Sequence, residues 1–266
     1  MSRKQRIDVQ HHFLPTAYVA AVGKDRIADT VVSNRCPEWT ADVSLEAMER
    51  NGITRAILSL GAPGFHFDNA ADSAALTRHC NDEAAELHQR HPDRFGFFAS
   101  LPLPHVDESL AEAERALTML GADGICLLTN YGGAYLGDDS VAPVLDYLNG
   151  QNAVAFTHPA DVHGGRPLPH IPAATLEFPF ETTRAITNLL FNGGVAKLDR
   201  LRLIFSHAGG TIPFLADRIA RLERQPHLAS QVPDGALKVM KRFYYDIALS
   251  AGPMTLRPLL KFVPPA

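Results

Sequence analysis

Ile7-Asp8-Val9-Gln10-His11-His12 is the stretch on which the fold turns. It is a short, partly β-branched run that closes on polar, chemically capable side chains. The same arrangement returns along the chain. Candidate strands are Ile7–Gln10, Arg55–Leu60, Gly96–Leu101, Gly124–Thr129, Val154–His158, Leu201–Ser206 and Phe243–Asp246. Between them lie helical patterns at Ser44–Asn51, Ala70–Arg90, Glu108–Leu120, Val141–Asn149, Thr183–Asn192, Ile212–Glu223 and Leu256–Phe262. Strand–helix alternation predicts βαβ units and a parallel sheet. Ala56-Ile57-Leu58-Ser59-Leu60 is nearly continuous in apolar residues, as a strand covered on both faces should be.

Several of these strands end in Gln10-His11-His12, Thr129-Asn130-Tyr131, His158-Pro159 or Ser206-His207-Ala208-Gly209-Gly210. Chemistry at the C-terminal ends of parallel strands is the habit of α/β barrels. A doubly wound open sheet competes, but no GxGxxG turn follows the first strand, and the polar strand ends are spread over the whole chain. The expected fold is therefore a (β/α)8 TIM-type barrel. Seven strands are legible, and the chain stops after a helical pattern, so the eighth strand and the helices after it have no counterpart; a shortened chain is the expectation.

The 266 residues suit one barrel domain spanning 1–266, and 46% apolar content is enough for its core. A net charge of −4 gives no basic surface for nucleic acid or anionic membrane. Cys36, Cys80 and Cys126 are scattered and odd in number, which reads as reduced thiols in a cytoplasmic protein. Met1 to Arg6 lacks the apolar run of a secretory signal, and no segment approaches the roughly 20 apolar residues of a membrane span. The irregular stretch from Pro159 to Glu177 is long enough to be a functional loop over the barrel mouth.

Strict alternation puts Asp8, Gln10 and His12 on one side of the first strand and Val9 and His11 on the other. His158 ends the fifth strand and His207 follows the sixth. Imidazoles that converge from separate strand ends suit zinc and its neighbours, or proton transfer near neutral pH. Asp246, at the end of the seventh strand, reads equally as a site residue or as a structural hydrogen-bond partner. His79, His88, His91 and His227 fall away from strand ends and are assigned no role. The amphipathic Ala70–Arg90 pattern reads as core packing.

The opening Ile7-Asp8-Val9-Gln10-His11-His12-Phe13-Leu14-Pro15 resembles that of the amidohydrolase-related decarboxylases, a branch of the metal-dependent hydrolase superfamily. That branch includes aminocarboxymuconate-semialdehyde, γ-resorcylate and 6-methylsalicylate decarboxylases. Pro37-Glu38-Trp39, Met48-Glu49-Arg50-Asn51-Gly52-Ile53, Arg94-Phe95-Gly96-Phe97-Phe98-Ala99, Leu127-Leu128-Thr129-Asn130-Tyr131-Gly132-Gly133, Phe178-Pro179-Phe180-Glu181-Thr182-Thr183-Arg184 and Ser206-His207-Ala208-Gly209-Gly210 continue the likeness. The resemblance implies a divalent metal, zinc before manganese, with Gln10, His12 and His158 in ligand positions and His207 as the acid/base. It implies non-oxidative decarboxylation of a small aromatic or dienoic carboxylic acid, and a homodimer. Trp39, Asn130, Tyr131, Phe178 and Phe180 are candidate substrate walls. Arg184, which opens a predicted helix after Thr182-Thr183, is a candidate for the substrate carboxylate.

Two departures stand out. Gln10 occupies a position where the family has histidine or glutamate, and the aspartate of the family's eighth strand has no counterpart. A neutral carboxamide in place of either residue predicts low or absent metal occupancy. Two other readings stay open: a metal-dependent hydrolase of a lactone or amide, and a catalytically altered barrel.

Overall fold

A computed structural model describes residues 6–65, 69–162, 164 and 168–264. Positions 163 and 165–167 of the expected mouth loop lie outside the described residues. The strands are β1 (Ile7–His12), β2 (Arg55–Ser59), β3 (Phe95–Ser100), β4 (Gly124–Leu128), β5 (Asn130–Tyr131), β6 (Ala134–Tyr135), β7 (Val154–His158), β8 (Arg202–Phe205) and β9 (Tyr244–Tyr245). Seven of them form one parallel sheet in the order β1-β2-β3-β4-β7-β8-β9, and β5 and β6 pair separately as an antiparallel hairpin. Every neighbour in the large sheet is also the next barrel strand in sequence, so the sheet curls into an open half-barrel with helices outside. β1 and β9 are its two edges. The fifth, sixth and seventh strands of the sequence reading are thus β7, β8 and β9.

Two apolar layers explain why these residues form strands. The larger lies between sheet and helices and takes Ala56, Leu58, Phe95, Phe97, Ile125, Leu127, Ala155, Leu203 and Phe205 from the outward positions. The smaller fills the inside of the curl with Ile57, Phe98, Cys126 and Phe156, against which Val9, Val154 and Ile204 pack. Phe98 and Phe156 stack at 5.6 Å. This inner plug closes the bottom of the curl. One step further along each strand the side chains are Ser59, Ser100 and His158, so the apolar plug becomes the floor of a polar mouth.

Alternation fails in β1, and the failure matters. Asp8 pairs with Ala56 and His11 with Leu58, so one extra residue sits in β1 between them. Such a bulge re-aims the side chains that follow. Val9 below it packs into the inner plug; above it His12 turns inward and His11 turns out toward the helix Ala41–Asn51. The sequence reading had Val9 opposite His12.

Two further boundaries differ from expectation. The helix expected from Thr183 begins at Glu177, because Pro179 is tolerated in a first helical turn, where its missing N–H has no intrahelical partner anyway. Arg184 therefore lies in mid-helix. Thr129-Asn130-Tyr131 does not extend β4 but turns into the β5–β6 hairpin.

Candidate active site at the mouth of the half-barrel

The ends of β1, β7 and β8 bring three imidazoles into contact. His12 and His158 meet edge to face with ring centroids 4.8 Å apart, and His158 and His207 are 5.9 Å apart. Phe178 closes on His158 from the helix above at 5.9 Å. Gly61, just past β2, makes this approach possible: a Cβ there would lie 2.8 Å from the His158 ring and 3.0 Å from that of His12.

Backbone carbonyls select the tautomers. His12 Nδ1 lies 3.3 Å from the Ser59 carbonyl oxygen, which can only accept, so Nδ1 carries the proton. His158 Nδ1 lies 2.8 Å from the Pro159 carbonyl oxygen and 3.3 Å from the Ala62 N–H; the shorter contact again requires Nδ1–H. Each ring keeps Nε2 as its bare nitrogen.

His207 is held differently. It has φ 53° and the following Ala208 φ 60°, both in the left-handed region that non-glycine residues avoid. The strained turn is held by the chain around Asp246. His207 N–H donates to Asp246 Oδ1 at 3.0 Å, Ala208 N–H to the Asp246 carbonyl at 2.8 Å, and Asp246 N–H to the Phe205 carbonyl at 3.1 Å. Gly210 is needed in the same turn, because a Cβ would fall on the Pro179 carbonyl.

Gln10 sits between His207 and Asp246. With its oxygen toward His207, the carboxamide accepts from Nε2–H at 3.0 Å and donates to Asp246 Oδ2 and Oδ1 at 2.8 and 3.2 Å. The reverse orientation would face oxygen with oxygen, so we adopt the first. His207 Nδ1 is then bare, and it is buried without a hydrogen-bond partner.

Electrostatics follow from this crowding. Burial, then repulsion from His12 and His207, holds the His158 pKa well below the ordinary imidazole value. Burial and His12 bring His207 down to about 4, and burial lowers His12 as well, although that residue is reachable from the mouth. Burial pushes Asp246 the other way, up to about 7, against the hydrogen bonds from Ala248 and His207. At neutral pH the mouth holds three neutral imidazoles beside a carboxyl whose affinity for a proton burial has raised.

Beside His12 and His158 opens a cavity of about 150 Å³, walled by Phe13, Tyr18, Val31, Trp39 and Leu60. Apolar cavities of about this size take up a benzene ring. Away from the two imidazoles, the polar side chains of its described lining are already paired: Tyr18 donates to the Gly64 carbonyl at 3.3 Å, Thr30 to the Ile27 carbonyl at 2.8 Å and Trp39 to Ser44 Oγ at 2.9 Å.

The other candidate residues lie apart from this cluster or are occupied within the fold. Asn130 donates to Glu181 at 2.8 Å and to the Asp161 carbonyl, and Tyr131 receives the Leu128 N–H at 2.8 Å. Phe180, 44% exposed, and Arg184 line a separate surface groove with Tyr135 and Asn188. Arg184 is 67% exposed in its side chain and 3.7 Å from Glu181. Glu181 is fully buried under Asn130 and Tyr135, and sequence reasoning gave it no role. Gly61 was missed too: nothing in the sequence around it marks the ring contacts it permits.

The amidohydrolase family profile matches residues 7–253. This chain belongs to the amidohydrolase family. A decarboxylase of Aspergillus niger is 42% identical over 257 residues, which cover 92% of this chain and 69% of that one. The 6-methylsalicylic acid decarboxylase of Penicillium expansum is 35% identical over 266 residues, covering 98% and 82%. The structure of 5-carboxyvanillate decarboxylase from Novosphingobium aromaticivorans, which contains bound manganese, superposes with a TM-score of 0.82 at 19% identity over 97% of this chain and 84% of its own; at that identity it supports the fold alone.

The family implies a divalent metal, which needs a complete set of donors at this mouth. His12 and His158 suit it, each with a bare Nε2 and an Nδ1 fixed by a carbonyl. The set as a whole does not. Gln10 is engaged by His207 and Asp246, Asp246 is engaged by two backbone N–H groups and Gln10, and among the described residues no three His, Cys, Asp or Glu side chains are grouped to hold an ion. Catalytic zinc usually has three protein ligands.

The two shifted groups have opposite linkage signs. Asp246 has a folded pKa of about 7, above its ordinary 3.8, so its contribution is present at low pH and lost as pH rises through 7. His207, at about 4 against 6.5, contributes stability above 6.5 that is lost as pH falls toward 4. Asp246→Asn removes the ionisation but turns its Nδ2–H2 toward the donating Gln10 carboxamide, so the pH slope, not the absolute offset, reports the charge. The wild type should lose about 5 °C relative to Asp246→Asn between pH 5 and pH 8. Thermal melts across pH check this; parallel melting curves for the two proteins contradict it.

Proposed function

We propose that this chain decarboxylates a small aromatic carboxylic acid without oxidation. The observation that carries the reading is the junction of a ring-sized apolar cavity with a cluster of neutral imidazoles at the strand ends. The decarboxylase relatives support the reaction class, and the family supports the barrel-mouth location.

The ring enters between Trp39, Phe13 and Leu60 with its carboxylate toward His12 and His158. Because the far wall has no free side-chain hydrogen-bonding group among the described residues, an alkyl substituent fits there and a hydroxyl would lose its water without replacement. Negative charge on the bound acid opposes the desolvation of His207 and favours its imidazolium. The proton passes from His207 to the ring carbon bearing the carboxylate. The C–C bond then breaks, its electron pair restores the aromatic ring, and carbon dioxide leaves. One proton is consumed per turnover.

With 6-methylsalicylate, the expected products are one carbon dioxide and one 3-methylphenol. His207→Asn should lower kcat by about 10²–10⁴-fold, the usual contribution of a general acid. Product analysis by mass spectrometry with a carbon dioxide assay checks both. Turnover of lactones or amides with no carbon dioxide from any aromatic acid would overturn the reading in favour of a hydrolase.

For the metal, imidazole nitrogen favours zinc over manganese, and a donor set limited to His12 and His158 among the described residues favours low occupancy. Protein purified without chelators should carry well under one zinc per chain by elemental analysis, and tightly held stoichiometric metal would contradict this. We further read the protein as cytoplasmic, with Cys36, Cys80 and Cys126 reduced, and as a homodimer that shields sheet edges where Ile7 and Tyr244 are exposed. No helix among the described residues is long and apolar enough to cross a membrane.

A further inference from the structure

On the outer side of β1, Asp8, His11 and Ser44 form an unbroken hydrogen-bond chain that ends on Trp39. His11 Nδ1 lies 2.9 Å from Asp8 Oδ2, His11 Nε2 lies 2.8 Å from Ser44 Oγ, and Trp39 Nε1 lies 2.9 Å from the same oxygen. The donors can be worked out in order. An indole N–H only donates, so Ser44 Oγ accepts from Trp39. With neutral His11, the serine hydrogen goes to Nε2, and Nδ1–H goes to Asp8. The other Asp8 oxygen accepts the Gln10 N–H at 3.1 Å.

The arrangement has the residue types of a hydrolytic triad, but it is not one. Ser44 is 3% exposed within the helix Ala41–Asn51, its oxygen already serves Trp39 and His11, and it does not line the cavity. What the chain does reach is a cavity wall. Trp39 lies just before the N-cap Thr40 of that helix, in a segment with no strand or helix of its own to fix an aromatic ring. Two contacts from β1 and the residue after it fix the ring instead. Phe13 meets it edge to face at 5.8 Å, and His11 anchors its N–H through Ser44. His12, between them, faces the same cavity. Consecutive residues thus set both the imidazole at one end of the cavity and the indole that walls it.

We propose that Asp8, His11 and Ser44 are positioning residues that hold Trp39 at the angle that shapes the ring pocket, and that through Trp39 they determine which substituted aromatic acid fits. This rests on the cavity being the substrate's site. The chain acts on binding, not on the chemical step, because none of its three members touches the imidazole cluster's reacting end.

Trp39 is the sole tryptophan, so its fluorescence reports this one wall. The experiment measures ligand-free emission and anisotropy, then KM and kcat with 6-methylsalicylate, for wild type, Ser44→Ala, His11→Gln, Trp39→Phe and Ser44→Ala/Trp39→Phe. Loss of one hydrogen bond should free the indole, lower its anisotropy and shift its emission to the red. KM should rise by about 3- to 10-fold with kcat nearly unchanged. In the Trp39→Phe background, which lacks the N–H, Ser44→Ala should change KM no further. Unchanged emission in Ser44→Ala, or an equal KM effect with and without Trp39, overturns the proposal. If wild-type protein neither binds nor turns over 6-methylsalicylate, the reading of the cavity fails instead, and the ligand-free emission still judges the chain.

Discussion

Three imidazoles clustered around His158 cannot all carry charge, and the mouth of this half-barrel is built around keeping them close and neutral. Contacts of 4.8 and 5.9 Å between rings are affordable only where burial has already driven off the protons. The parallel register supplies the closeness, because it delivers the ends of β1, β7 and β8 to one rim. Carbonyls of Ser59 and Pro159 turn two of the rings, and a strained turn held by Asp246 turns the third. The apolar plug of Ile57, Phe98 and Phe156 underneath keeps the water that would stabilise charge away from the floor.

In that setting Gln10 is less a weakened ligand than a neutral adaptor. It spans the open side of the sheet, between β1 and the end of β9, and pairs with His207 on one side and Asp246 on the other. A glutamate at this position would set two carboxylates against each other, and a histidine would add a fourth ring to a cluster that already repels protons. The same two neighbours account for the carboxamide being engaged and for the described residues offering no complete metal shell.

Much of the architecture was legible because parallel strands covered on both faces leave a strong signature: Ala56 to Leu60 is apolar but for Ser59, and several strand ends carry polar residues. The convergence of His12, His158 and His207 could be read from strand ends alone. What could not be read depends on local backbone events. A one-residue bulge in β1 reversed the facing of Val9 relative to His12 and sent His11 to Ser44. Pro179 started a helix earlier than its apolar period suggested and left Arg184 in mid-helix, exposed on a different groove. Glycine at position 61 matters only through contacts with rings about 50 and 100 residues away, which no local pattern encodes.

The account stands on the cavity beside His12 and His158 being where the aromatic acid reacts. The most direct measurement is a crystal structure of the protein with 3-methyl-2-nitrophenol, in which a nitro group stands in for the carboxylate of 6-methylsalicylate. The ring is expected between Trp39 and Leu60, with its nitro group among His12, His158 and His207. A ligand found in the groove of Phe180 and Arg184, with the cavity empty, would contradict it.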